Sequence, residues 1–128
     1  MQFEERYKAL NSAQKQAVDT IEGPVLVIAG PGTGKTELLS MRVANILKKT
    51  DSDPRNILCL TFTNKAATNM RQRLQKLTDG EARNVHVKTF HGFASEIMNS
   101  YSQYFWNGAN LQSAPEAAEL AILESIFN

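Results

Sequence analysis

Residues 29–36 read Ala-Gly-Pro-Gly-Thr-Gly-Lys-Thr; an apolar run at 25–28 precedes them and a helix-like run at 37–47 follows. That order of strand, glycine-rich loop and helix is what a phosphate-binding loop requires. Glycines at 30, 32 and 34 are expected to take positive φ and turn backbone N–H groups inward, so that a polyphosphate sits in the nest at the helix N-terminus. Lys35 is then placed to reach the β- and γ-phosphates and the Thr36 hydroxyl to hold Mg²⁺. Ala29 stands where the strict pattern has Gly, and a small residue suffices there. The competing reading is a glycine-rich turn followed by a chance Lys-Thr; the flanking runs argue against it. The loop alone does not choose among nucleotide-hydrolysing classes.

At 128 residues, with 42% hydrophobic and 21% charged content, the chain suits one soluble globular domain or a piece of one. Its net charge of +1 hides a division. Residues 1–53 carry seven Lys/Arg and seven Asp/Glu, residues 54–95 carry seven and two, and residues 96–128 carry none and four. The middle block is basic and the last acidic, which makes the middle a nucleic-acid candidate if other features agree. Cys59, the single cysteine, sits in the apolar stretch 57–60 and reads as a small core residue. With a charged start, no signal-type apolar segment and no apolar run near 18 residues, the expected location is the cytoplasm.

Along the chain, Asn11 and Gln14 form a capping-box pattern for a helix running to about Ile21. Residues 25–29 form a continuous apolar run, as in a parallel strand buried on both faces. The helix after the loop places Leu38, Met41, Ala44/Asn45 and Leu47 at helical spacing. A second strand is predicted at 56–62 and a helix at 65–77, with Ala67, Met70, Leu74 and Leu77 on one face and Lys65, Arg71, Arg73 and Lys76 largely off it. A third strand is predicted at 85–90. Ala94, Ile97, Met98, Tyr101 and Phe105 then follow the pattern of a buried helix face. Asn107-Gly108 breaks the chain, and Ser113-Ala-Pro-Glu116 caps a last helix. Alternating strands and helices behind a phosphate loop predict an α/β fold with a parallel sheet. Ligands bind such sheets outside the strand C-termini, which here means the loop, residues 61–64 and residues 89–92.

Those edge residues carry a resemblance. Leu-Asn-x-x-Gln-x-x-Ala-Val (10–18), the phosphate loop (29–36), Leu-Thr-Phe-Thr-Asn-Lys-Ala-Ala (60–67) and Thr-Phe-His-Gly (89–92) are similar, in order and spacing, to successive motifs of the UvrD/Rep/PcrA family. The resemblance implies a three-layer, RecA-like P-loop NTPase fold, incomplete in this chain. Residues 1–106 would be the N-terminal part of motor domain 1A and 107–128 the start of the helical 1B insertion. It implies an ATP-dependent superfamily 1 DNA helicase that moves 3′ to 5′ on single-stranded DNA and meets DNA junctions, with DNA repair among its settings.

The implied cofactors are ATP and Mg²⁺. Gln14 would read the adenine edge, and Ala29, Gly30, Pro31, Gly32, Thr33, Gly34, Lys35, Thr36 and Glu37 would surround the nucleotide. Lys35 and Thr36 would act in catalysis, and Thr36 would hold the metal. Phe62, Thr63, Asn64, Thr89 and His91 would line the DNA track, where an aromatic beside hydroxyls and amides suits base stacking without sequence readout.

Each role has a plainer competitor. Gln14 could be only a capping residue, Phe62 core, His91 a structural histidine at a strand-to-helix turn, and Arg71, Arg73 and Lys76 a solvated helix face. One departure stands out: the family commonly has Arg after Gly-Lys-Thr, packed on adenine, and here that position is Glu37, which cannot supply a cation–π contact. Phosphoryl transfer also needs a metal-binding carboxylate pair and usually an arginine finger. No acidic residue after position 90 ends an apolar strand. The chain therefore reads as an N-terminal helicase portion that requires domains 1B, 2A and 2B, is inactive alone and is prone to self-association. Another P-loop class, such as an AAA+ ATPase, or a non-catalytic nucleotide- or DNA-binding module are the alternatives.

Overall fold

A computed structural model describes residues 2–105 and 116–127. Residues 2–90 form one unit and residues from 91 onward a second. The predicted break at 107–108 and the start of the last cap at 113–115 lie outside the described residues.

The first unit opens with α1 (Gln2–Ala9), which the sequence reading did not anticipate, and α2 (Ser12–Asp19). The capping box at α2 is complete: Asn11 Oδ1 accepts from the Gln14 backbone N–H at 2.9 Å, and Gln14 Oε1 accepts from the Asn11 N–H at 3.0 Å. Helix α3 (Lys35–Lys49) begins two residues before the predicted start, because Gly34, at φ +77°, already serves as its N-cap. The predicted strand at 56–62 is shortened to β1 (Leu58–Thr61): Asp53 accepts from Arg55 N–H and starts a single 3₁₀ turn over Pro54–Asn56. Helix α4 (Asn64–Leu77) is capped by Thr63, whose hydroxyl accepts from Ala66 N–H. Strand β2 (His86–Thr89) pairs with β1 in parallel, with Leu58 opposite His86 and Thr61 opposite Thr89. The parallel pair with its intervening helix is the βαβ unit that the alternation predicted.

Two apolar clusters share α3 as their common wall. On one side Val43 meets Cys59, Met70, Leu74, Val85 and Val87. On the other, Leu38, Met41 and Ala44 meet Phe3, Val18 and Leu77. The face predicted for α4 is the buried one: Ala67, Met70, Leu74 and Leu77 are each at most 6% exposed. Its 3.6-residue spacing is a local property of the sequence, and neighbours on both sides of the helix cover it.

Residues 25–29 correct the reading. They form no strand: among the described residues the sheet consists of β1 and β2 alone. Val25 and Val27 are half-covered, whereas Leu26 and Ile28 are 86% and 91% exposed. The run is thus sheltered on one side, where Val25 and Val27 join Leu38 and Leu39 around a cavity of about 270 Å³. A strand is defined by its ladder partner, and apolar content alone does not provide one.

The second unit starts within α5 (Phe90–Ser100) and includes α6 (Glu116–Phe127). The predicted buried face of α5 is also corrected, since none of its residues is buried and Tyr101 is 50% exposed. The helical period is present, but the face is only partly covered: Ile97 is 36% and Phe105 37% exposed.

Candidate nucleotide and nucleic-acid sites

The phosphate loop is built by three local devices. Gly32 and Gly34 take φ of +74° and +77°, the left-handed region that glycine enters without steric cost. Gly30 does not, contrary to expectation; the Thr33 hydroxyl instead donates to its carbonyl at 2.7 Å and closes the turn. Helix α3 then begins on Gly34 with no side-chain cap, in contrast to α2 and α4, so its first-turn N–H groups have no side-chain acceptor. Such a helix end favours an anion through both its N–H groups and its dipole.

The Lys35 ammonium folds back over the loop, donating to the carbonyls of Gly30 at 2.7 Å and Ala29 at 3.4 Å. Carbonyl oxygens hold it where phosphate oxygens would compete for the same N–H groups. Ala29, Pro31 and Thr36 lie within or beside this turn, and Thr36 is exposed in the first turn of α3.

Gln14 both caps α2 and touches the glycine-rich loop. Its Oε1 is committed to the capping box, which directs Nε2 outward, and Nε2 donates to Thr33 O at 3.4 Å. One of its two amide N–H groups remains for another acceptor. Helix α2 is held there from α3: Arg42 donates to Ala17 O at 2.6 Å and to Thr20 O, and the buried Asn45 donates to Val18 O at 2.9 Å. These bonds satisfy carbonyls at the C-terminal end of α2. Arg42 was not anticipated from the sequence, and Asn45 was expected only as a position on the inward spacing of the helix, because their partners lie 22 to 27 positions away.

Glu37 is engaged by two arginines. Its carboxylate accepts from Arg6 at 2.6 Å with one oxygen and from Arg73 with the other, tying α1 and α4 to the start of α3.

At the C-terminal ends of β1 and β2 lies a second group. Phe62 is 84% exposed, which removes the core reading, and its ring centroid lies 5.2 Å from that of Phe90 at 43°. Phe90 is a site feature that the sequence reading passed over, although it sits inside the 89–92 motif. The Thr61 hydroxyl donates to Thr63 O at 3.2 Å, which steadies the turn into α4, and Thr63 spends an acceptor on its cap. Asn64 is exposed in the first turn of α4, and Thr89 is the register partner of Thr61. His91, exposed on α5, belongs to the second unit. The structure thus gathers Gln14, Thr33 and Lys35 into one cluster and Phe62, Thr63 and Thr89 into another.

The basic face divides as well. Arg71 turns inward to donate to Val87 O at 2.7 Å and braces β2, while Arg73 is held by Glu37. Cys59 is buried in the first cluster, and burial pushes its thiol up to about 11, as a core residue requires.

A family model, the UvrD/REP helicase N-terminal domain, matches residues 10–128. The chain belongs to the UvrD/REP helicase family. This UvrD/REP chain is 45% identical over 89 residues to the ATP-dependent DNA helicase PcrA of Staphylococcus aureus (strain Mu50), covering 70% of the chain and 12% of that protein. It is 46% identical over 91 residues to PcrA of Staphylococcus epidermidis (strain ATCC 12228), covering 71% and 12%. The UvrD/REP chain thus spans about an eighth of the length of these curated relatives. Among its described residues no helix is long and apolar enough to cross a membrane.

Proposed function

We propose that this chain is the nucleotide-holding start of an ATP-dependent helicase that translocates 3′ to 5′ on single-stranded DNA in the cytoplasm. Residues 1–106 are its first motor-domain portion and 107–128 the start of a helical insertion. The observation that carries the reading is the uncapped start of α3 behind Gly32 and Gly34, with the Lys35 ammonium resting on loop carbonyls.

These residues fit a polyphosphate. The loop N–H groups and the α3 terminus take the phosphate oxygens, and Lys35 exchanges the Gly30 carbonyl for the β- and γ-phosphates. The Thr36 hydroxyl is the ligand this chain offers to Mg²⁺. The free N–H of Gln14 reads the adenine edge. ATP with Mg²⁺, when bound, supplies the phosphoanhydride whose cleavage drives stepping. Phe62, backed by Phe90, offers a face on which bases stack; Thr63, Asn64, Thr89 and His91 serve the backbone. Carboxylates for the metal and the arginines of a second domain come from further segments of a longer protein. This chain by itself therefore binds nucleotide and does not turn it over.

The test is a titration with a fluorescent ATP analogue and Mg²⁺, comparing the chain with Lys35→Ala. Saturable binding lost in the variant is the expected result, and equal binding by both overturns the assignment. A DNA-stimulated ATPase rate from the 128-residue chain, abolished by the same variant, contradicts the claim that it is inactive alone.

A further inference from the structure

Helix α4 carries Asn69, Gln72, Arg73 and Lys76 at i, i+3, i+4 and i+7, so the four side chains form one face of the helix. Arg6 of α1 closes that face into an open cleft of about 410 Å³ lined by these five residues. None of them belongs to the phosphate loop or to the Phe62 edge.

Glu37 backs the cleft. Each of its carboxylate oxygens takes one guanidinium, Arg6 and Arg73, and the carboxylate side chain is 22% exposed against 44% and 45% for the two arginines. The carboxylate thereby fixes both forks from the inner side. A guanidinium has five N–H donors, and the bond to Glu37 occupies one on each. Three cations against one carboxylate leave a surplus of two positive charges in the cleft, beside two carboxamides that donate without titrating. Fixed guanidinium forks with amide donors are a site for phosphate oxygens.

We infer that this cleft holds backbone phosphates of DNA, as a second contact apart from the bases stacked at Phe62; the inference rests on the DNA-acting reading above. A polymer fits better than a small anion because the cleft is open. Its donors also run along seven residues of helix, about 10 Å, or about three per-strand rises of a duplex. A face that reads phosphate alone adds affinity without sequence preference.

The experiment is fluorescence anisotropy of labelled oligo(dT) and of a labelled duplex with the whole chain at several salt concentrations. Lys76→Glu is the leading variant, since among the described residues the Lys76 side chain makes no hydrogen bond or ion pair, and Arg6→Gln is the second. Lys76→Glu is expected to weaken DNA binding about tenfold and to reduce the salt slope by about 1, while fluorescent ATP analogue binding changes less than about twofold. Unchanged DNA affinity and salt slope in a folded Lys76→Glu variant overturn the inference. If Phe62→Ala abolishes DNA binding in the same assay, the DNA-acting reading survives that failure; no DNA binding by the unmodified chain overturns both. Inorganic phosphate titrated at constant ionic strength distinguishes the remaining source. Saturable shifts of the Asn69 and Gln72 amide resonances, with DNA affinity indifferent to Lys76→Glu, make the cleft a small-anion site and overturn the DNA assignment.

Discussion

The side-chain amide of Gln14 donates to the Thr33 carbonyl at 3.4 Å, so the residue that completes the α2 capping box also touches the phosphate loop 19 positions further along the chain. An amide side chain offers both an acceptor and a donor, so capping and a second contact are compatible. Here the cap uses the oxygen and leaves the nitrogen to face the loop.

The two roles separate by substitution. Gln14→Glu keeps an oxygen for the Asn11 N–H but removes the donor toward Thr33, whereas Gln14→Ala removes both. Thermal melts should show a loss of about 0.5–1 kcal/mol for Ala and less for Glu. Affinity for a fluorescent ATP analogue should fall in both variants. Full affinity in Gln14→Glu would leave Gln14 as a capping residue alone.

Two loop glycines should respond differently to the same change. Gly34 sits at φ +77° as the cap of α3, and an alanine there is forced into the left-handed region at a cost of about 1–2 kcal/mol. Gly30 lacks positive φ, and a Cβ there would lie 3.9 Å from Thr33 Cγ2, an ordinary contact. Chemical denaturation should place Gly30→Ala within about 0.5 kcal/mol of the unmodified chain. Equal destabilisation by both alanines would refute the distinction drawn from φ.

Leu26 and Ile28 expose an apolar edge beside residues that already shelter Val25 and Val27. Such an edge invites association. Sedimentation velocity should show concentration-dependent self-association that Leu26→Lys with Ile28→Lys reduces, with little change in melting temperature. Val27→Lys, at a position that lines the same cavity as Leu38, should lower the melting temperature instead. A monomer at all concentrations would show that this edge is harmless.

Cys59 should resist alkylation. Burial raises its thiol to about 11 from an ordinary 9.0, so at pH 8 about 0.1% is thiolate in the folded chain. The folded state therefore holds a proton that the unfolded state releases earlier, and stability should fall as pH rises from about 9 to 11. Mass spectrometry after iodoacetamide at pH 8 should find the native chain unmodified and the urea-unfolded chain labelled. Rapid labelling of the native chain would mean that the β1 cluster opens.

What the sequence by itself determined was local. The Asn11–Gln14 cap, the glycine loop, the Thr63 start of α4 and the buried stripe 67, 70, 74 and 77 all depend on residues within one or two helical turns, where a few neighbours decide the geometry. The candidate site residues were legible because they fall at strand ends and loop turns, whose positions follow from those same signals.

Only the tertiary structure decided which surfaces found partners. It paired β1 with β2, left 25–29 outside the sheet, left the stripe on α5 only partly covered and turned Arg71 inward to Val87. Glu37 met guanidiniums 31 and 36 positions away, a pairing that no periodicity encodes. An apolar or charged side chain specifies that it needs a partner, but its identity is set by chain segments brought together in folding, through burial and ladder bonds that act across space.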